Sequence, residues 1–289
     1  MPRVRKVAVI YHGLVPEAGV LARRLVQRFR TAAQWTAMDA EAARKAKGLA
    51  DCELFVTIGG DGTILRAMHI AAPLAVPVLG LNMGRVGFMS EVDAENALDE
   101  IEWYLDGNAR IEERAMLQVE SAALRGGPQH ALNDVTIGRG SAPRIVNLRT
   151  HINGVHLTNY RSDALVLATA TGSTGYSLAL GGPVMDPESD DILLKPVAAH
   201  MSLQGGFVLP VSTVIEVKFE GPEAGVLSVD GYVDMPLRPG QVVTVRTSPY
   251  RARFLRRHST AEFYASVTRR LGMRQESLPR RRQGRQARA

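Results

Sequence analysis

The chain has 289 residues, 45% of them hydrophobic and 22% charged, with a formal net charge of +6. That much apolar material supports a packed core and excludes wholesale disorder, and no run approaches the roughly 18 apolar residues of a membrane-spanning helix. Arg274, Arg280, Arg281, Arg282, Arg285 and Arg288 face only Glu276 in the last stretch, so the basicity belongs to a tail and the body is close to neutral.

In chain order, residues 6–11 form a short β-branched apolar run that predicts a first strand. It follows Arg3 and Arg5 but is too short for a signal-peptide core. Residues 16–33 carry Val20, Leu21, Leu25, Val26 and Phe29 at helical spacing. A second apolar strand, 54–58, stops at Gly59 and Gly60. The spacing then predicts a helix over 63–72, a buried strand over 76–81, and an amphipathic helix over 93–105 ended by Gly107. Strands alternating with helices imply a parallel sheet with right-handed crossovers, an α/β, Rossmann-like domain over residues 1–108.

From about residue 110 the pattern changes. The segments 116–121, 131–137, 145–152, 155–160, 164–169, 214–219, 226–229 and 242–247 are short, β-branched and punctuated by Gly, Pro, Asn or Asp, which predicts an all-β, sandwich-like domain over 109–255. Asn153-Gly154 between two of them is a type I′ hairpin signal. A last helix, 260–271, carries Phe263, Val267 and Leu271 on one stripe and is expected to pack back on the first domain. Residues 273–289, rich in Arg and Gln, read as a disordered tail.

The stretch most informative about chemistry is LFVTIGGDGTILRA, residues 54–67. A buried strand runs into Gly59, Gly60, Asp61, Gly62 and Thr63 and straight into a helix. Glycines there let the backbone approach a ligand closely, and the helix N-terminus offers N–H groups and partial positive charge to phosphate. Asp61 repels phosphate and so needs a purpose: accepting a hydroxyl proton, holding Mg²⁺, or capping the helix. Neither the P-loop spacing nor the full dinucleotide fingerprint is present. A second cluster, TATGSTGYSLALGG at 169–182, places Thr171, Ser173, Thr174, Tyr176 and Ser177 on a backbone loosened by Gly172 and Gly175, a density of hydroxyls that suits ribose and phosphate.

Other candidates carry less. Cys52 is the single cysteine, which excludes an internal disulfide framework, fits a reducing compartment and reads as buried rather than reactive. His151 and His156 flank the Asn-Gly turn as a pair lacking a third metal ligand, so no metal ligands are assigned among the side chains. His69 and His200 read as satisfied polar groups, and Met83, Met89, Met116, Met185 and Met201 as core fillers.

Taken together, GGDGT, then LNDVTI with Asn133-Asp134, then RSDALVLATATGSTGYSLALGGPV, with LGLNMGRVGF at 79–88, resemble the NAD kinases, in register from Lys6 to Val233. GGDGT alone is shared with lipid kinases of the diacylglycerol and sphingosine type, which lack the other two motifs. The resemblance implies transfer of the γ-phosphoryl group of ATP to the 2′-hydroxyl of the adenosine ribose of NAD, with Mg²⁺ or another divalent cation. It implies Asp61 as the base, with Gly62 beside it on the dinucleotide and Arg66 near a phosphate. Asn133, Asp134, Arg144, Arg161 and Asp163 would hold nucleotide, Leu178 and Ala179 would join Thr174 to Ser177 around adenine and ribose, and Tyr232 would lie at the site where the family often has Gln. Ala164 and Gly175 also depart from the usual Gly and Ala. The protein is expected to be a cytoplasmic homodimer or homotetramer with small-molecule substrates, no membrane partner, and nucleic acid touched at most weakly through the tail. The alternatives are a non-catalytic NAD or NADP sensor and a lipid kinase.

Overall fold

The computed structural model describes residues 2–84, 87–124, 126–140, 145–200, 205–220 and 224–270. Arg144, Met201, Leu271 and the tail from 273 lie outside the described residues. The apolar run after Lys6 forms β1 (Lys6–Tyr11), and Pro16 in the first turn with Glu17 at its positive end starts α1 (Pro16–Arg28). The helix stops short of residue 33: Trp35 Nε1 donates to the Phe29 carbonyl at 3.0 Å, and the chain turns into β2 (Gln34–Asp39). Asp39 then caps α2 (Ala40–Ala43) by accepting from Glu41 N and Ala42 N.

There follow β3 (Leu54–Gly59), α3 (Asp61–Ala71), β4 (Val78–Asn82), β5 (Val92–Asp93) and α4 (Ala97–Leu105). The last helix begins later than residue 93 because Val92 and Asp93 pair with Leu81 and Asn82. Strands β4, β3, β1 and β2 lie side by side and parallel, and every residue of β3 is buried. Such strands need cover on both faces. Val7, Val9, Val56 and Ile58 pack with Leu25 of α1 and Ile101 of α4, while Ala8, Ile10 and Phe55 pack with Ile64 and Met68 of α3.

The remaining strands are β6 (Arg110–Ser121), β7 (Gln129–Ala131), β8 (Asp134–Arg139), β9 (Val146–Ile152), β10 (Val155–Ser162), β11 (Ala164–Ala168), β12 (Ile192–Val197), β13 (Phe207–Leu209), β14 (Ile215–Phe219), β15 (Gly225–Val229), β16 (Val233–Leu237) and β17 (Val242–Arg256), with the short α5 (Tyr176–Ala179) after β11. One antiparallel sheet has the order β13-β12-β11-β8-β15-β16; the other strands continue the first sheet as β10-β9-β14-β17. Leu148, Val217, Phe219 and Val245 from one sheet meet Val135, Leu167, Leu194 and Leu227 from the other in a common core, which is the expected sandwich. Asn153 (φ +50°) and Gly154 (φ +78°) turn the hairpin as their sequence requires, bringing the His151 and His156 rings to 5.3 Å.

Two of the expected strands differ in ways that shape the sheet and the site. The strand expected over 131–137 is broken at Leu132 and Asn133, for a reason that belongs to the site. The strand expected to end at 247 runs on to Arg256 through a bulge that contains Pro249, and Phe254 pairs in parallel with Val78. β17 thereby makes one sheet of the parallel and antiparallel regions. Residues up to Arg257 form one compact unit; the second unit, from His258, contains α6 (Ala261–Arg270), where His258 Nδ1 lies 2.9 Å from Glu262 Oε1.

Candidate active site

The glycine-rich turn is built as the motif requires. Gly60 is the residue that caps α3, and Asp61 is the first helical residue, making no cap hydrogen bond to its own helix. Its carboxylate instead reaches across to the loop after β4: Phe88 N donates to Oδ2 at 2.9 Å and Met89 N to Oδ1 at 3.3 Å. Gly60 holds the N-cap position with no side-chain cap bond, and Asp61 is held by donors from elsewhere. Gly87 allows this, since a Cβ there would sit 2.0 Å from Oδ1. Gly59 packs on Thr63 in the same way, with room for no side chain between them.

Behind Asp61 lies a buried ionic cluster that the sequence reading did not find. Glu112 accepts from Arg114 at 2.7 and 2.9 Å, from Arg256 at 3.1 Å and from Arg110 at 2.8 Å. Burial pushes the Glu112 carboxyl up, but Arg256 and Arg114 together outweigh this and hold it at about 2. Burial and the neighbouring Arg256 lower Arg114 to about 10, against the opposing pull of Glu112 and Asp61. Arg114 Nη1 also lies 3.4 Å from Thr171 Oγ1, which ties the cluster to the hydroxyl-rich loop. In β6 Ile111 is exposed while Glu112 and Arg114, two residues apart, are buried, an inversion that only the structure displays.

The second gathering centres on Asn133 and Asp134. Three successive backbone N–H groups converge on one carboxylate, Asp230: Leu132 N at 2.8 Å to Oδ2, Asn133 N at 2.7 Å and Asp134 N at 3.1 Å to Oδ1. This convergence breaks the expected strand. The carbonyls are taken too, by Thr169 Oγ1 on Leu132 O and Thr169 N on Asn133 O. Gly172 lies so close that a Cβ would fall 2.0 Å from the Asn133 carbonyl oxygen. Burial, then the charge of Asp230, raises the Asp134 carboxyl to about 6.

Within the loop after β11, Ser173 Oγ donates to Ala170 O and accepts from Met185 N, and Thr174 Oγ1 donates to Thr171 O. Gly175 is exposed, as are Tyr176 and Ala179, with Leu178 half-buried and Ser177 buried. Among the described residues, the buried side-chain oxygens without a hydrogen-bond partner are Thr63 Oγ1, Asn133 Oδ1, Ser177 Oγ and Tyr232 Oη in these segments, together with Tyr160 Oη in the core. Thr63, Asn133, Ser177 and Tyr232 belong to the segments that suit nucleotide, whereas Tyr160 lies in the core, so an unpaired oxygen is not by itself a ligand site. Tyr232, after the Asp230-Gly231 turn, lies under the guanidinium groups of Arg44 and Arg66 at 5.0 and 5.1 Å, and Arg66 also approaches Glu41 at 3.6 Å.

The structure therefore brings Asp61, Gly62, Thr63 and Arg66 together with Asn133, Asp134, Thr171, Gly172 and Tyr232. Arg161 and Asp163 are not in this gathering. Arg161 is exposed, Asp163 pairs with Arg139 at 3.3 Å, and β11 separates Asp163 from Thr169 by about 20 Å of extended chain. Asp230 and Gly87 were not singled out in the sequence, and His69, set aside there, is hydrogen-bonded to Asp230.

Comparison with known proteins gives this geometry its context. The ATP-NAD kinase N-terminal domain family matches residues 15–109 and the ATP-NAD kinase C-terminal domain family residues 132–257. A protein named NAD kinase from Dehalococcoides mccartyi is 34% identical over 281 residues, covering 95% of this chain and 98% of that one. Another from Chloroflexus aurantiacus is 35% identical over 274 residues, covering 93% and 99%. The fold is shared with a yeast NADH kinase solved with NADH (TM-score 0.80, 22% identity, 96% of this chain and 91% of that one) and with an NAD kinase from Archaeoglobus fulgidus solved with ATP (0.75, 23%, 93% and 99%). With both domains matched in order and its relatives matched along nearly their whole length, the chain belongs to the NAD kinase family.

Proposed function

We propose that the chain makes NADP from NAD and ATP with Asp61 as general base. The observation that carries this reading is the Asp61 carboxylate, fixed by two backbone amides at the N-terminus of α3 instead of capping it. Phosphoryl transfer asks the protein mainly for alignment, charge stabilisation and a proton acceptor. Asp61 takes the proton of the ribose 2′-hydroxyl as its oxygen bonds to the γ-phosphorus; the bond from that phosphorus to the bridging oxygen breaks and ADP leaves. The N-terminal turn of α3, with Asp61 N and Gly62 N ahead of the Thr63 N to Gly60 O bond, is suited to the donor's phosphates, with Arg66 half-exposed on the same helix.

The side chains of Asn133 and Asp134, whose backbones are fully engaged, are suited to the dinucleotide, as are the hydroxyls of 171–177. A divalent cation fits this site as one carried on the donor's phosphate oxygens, which leaves the Asp61 carboxylate for the proton, and bound there it would neutralise phosphate charge. Membership of the family supports ATP and NAD as substrates; a cytoplasmic homo-oligomer is the working form proposed with them. That membership also disfavours a lipid kinase, since both domains match.

The test is NADP formation from NAD and Mg-ATP by wild type and Asp61→Asn, read by an NADP-specific dehydrogenase. The variant should fold, bind NAD, and turn over about 10²-fold or more slower. Near wild-type turnover by Asp61→Asn would remove Asp61 from the role.

A further inference from the structure

We infer that Asp230 and His69 form a positioning link that ties the base-bearing helix to the NAD-binding turn, so that neither touches the reacting atoms but both set where the acceptor sits. The inference rests on the reading of Asn133 and Asp134 as the dinucleotide site. An ionised carboxylate offers about four lone-pair sites, and Asp230 has four donors. Three are the N–H groups of Leu132, Asn133 and Asp134; the fourth is His69 Nε2, 2.9 Å from Oδ2. Since a carboxylate only accepts, His69 presents Nε2–H. The Asp230 side chain is fully buried, and its backbone adopts φ +54°, a strained conformation for a residue other than glycine. A fold that keeps both costs has placed the group deliberately.

The position of His69 gives the link its direction. It stands eight residues after Asp61 on one continuous helix, about 12 Å along its axis. A rigid helix therefore carries the base at its first residue and, two turns on, the donor that fixes Asp230. Asp230 in turn fixes three consecutive amides of the turn whose side chains await NAD, while Thr169 fixes the carbonyls. Tyr232, at 6.1 Å from the His69 ring, closes the same corner. The Asn133 side-chain oxygen, buried and without a partner, is the atom this arrangement aims.

Asp230→Ala would leave four donors without their acceptor at once and threatens the fold, so the test uses His69. In the full-length protein, His69→Leu removes the fourth donor, and His69→Gln restores an N–H at similar reach. Steady-state KM values for NAD and for ATP are measured alongside equilibrium NAD binding and thermal unfolding. The link predicts that His69→Leu raises KM for NAD roughly tenfold with KM for ATP changed less than about twofold, and that His69→Gln recovers most of the loss. An unchanged KM for NAD in folded His69→Leu, a parallel rise in both KM values, or no rescue by glutamine would overturn it. Should wild type form no NADP, the proposed reaction fails on its own account, and the same series read by NAD binding still decides the link.

Discussion

Replacing Gly87 by alanine moves the Asp61 carboxylate without altering its chemistry, and the structure sets the size of the move. A Cβ at Gly87 would lie 2.0 Å from Oδ1, 2.5 Å from Cγ and 2.6 Å from Oδ2. Carbon and oxygen outside a bond rest at about 3.5 Å, so the carboxylate must retreat by about 1 Å or more. The obstacle is the end of a rotatable side chain and Gly87 is half-buried, so the backbone can stay in place. What is lost is aim: the donors Phe88 N and Met89 N remain, but the group they hold has been displaced. A misplacement of about 1 Å costs on the order of 10²-fold in rate, about 2.7 kcal/mol in the barrier. The assay is kcat for NADP formation beside the thermal midpoint and KM for NAD. The expected result is a fall of about 10² in kcat, close to that of Asp61→Asn, with the midpoint and KM little moved. A kcat within about twofold of wild type, with the fold intact, would refute the claim that the position of this carboxylate governs the reaction.

Asp134, at about 6, has a folded-state value above its unfolded one, so its contribution to stability is full below pH 4 and is lost as pH rises through 6. Asp134→Asn should therefore be more stable than wild type at pH 8 by on the order of 2 kcal/mol and unfold at a higher temperature, with the gap closing by pH 4 in calorimetry. If its carboxylate receives a ribose hydroxyl, NAD also binds less tightly to wild type below pH 6, which titration calorimetry at pH 5 and 8 measures directly. Glu112 behaves oppositely. Its depressed value means that its stabilisation is present above pH 4.5 and is lost as pH falls through about 2. Glu112→Gln leaves Arg114 and Arg256 buried without their shared carboxylate and should cost about 3–5 kcal/mol in urea unfolding at pH 7, the gap narrowing below pH 3.

Local signals carried much of the fold and the heart of the site. The apolar runs of β1 and β3, the glycine-rich turn into α3 and Asn153-Gly154 each contain their own instruction, because glycine freedom and strand burial act over a few residues. What was hidden depends on partners far along the chain. β2 has no clean alternation, and β12 and β16 contain Pro196 and Pro236, which argue against central strands even though Pro196 sits opposite Leu165 in one. Pro249 likewise masked the run of β17 to Arg256, because a bulge absorbs it. The break at Leu132 and Asn133 is dictated by a carboxylate about a hundred residues later. An Asp-Gly pair reads only as a turn, and nothing local says that its aspartate faces inward.

The buried arginines bear on why a phosphate-binding turn tolerates an aspartate. A carboxylate beside incoming phosphates is repelled by them, and in a partly dry site that repulsion is weakly screened. Arg114, buried yet cationic at neutral pH with its value at about 10, lies within electrostatic reach of Asp61. It is not neutralised outright, because its partner Glu112 also serves Arg110 and Arg256. Phe254, with the two guanidinium groups of Arg114 and Arg256 over its ring at 4.8 and 4.9 Å, keeps both in place without adding negative charge. The aromatic spacer is thus as much a part of the design as the ions: one ring holds Arg114, which acts on Asp61, beside Arg256, whose charge is shared between Glu112 and Glu91 at 3.0 Å. Phe254 is also the residue that pairs with Val78, so the strand that fuses the two halves of the sheet is the one that delivers this charge behind the base.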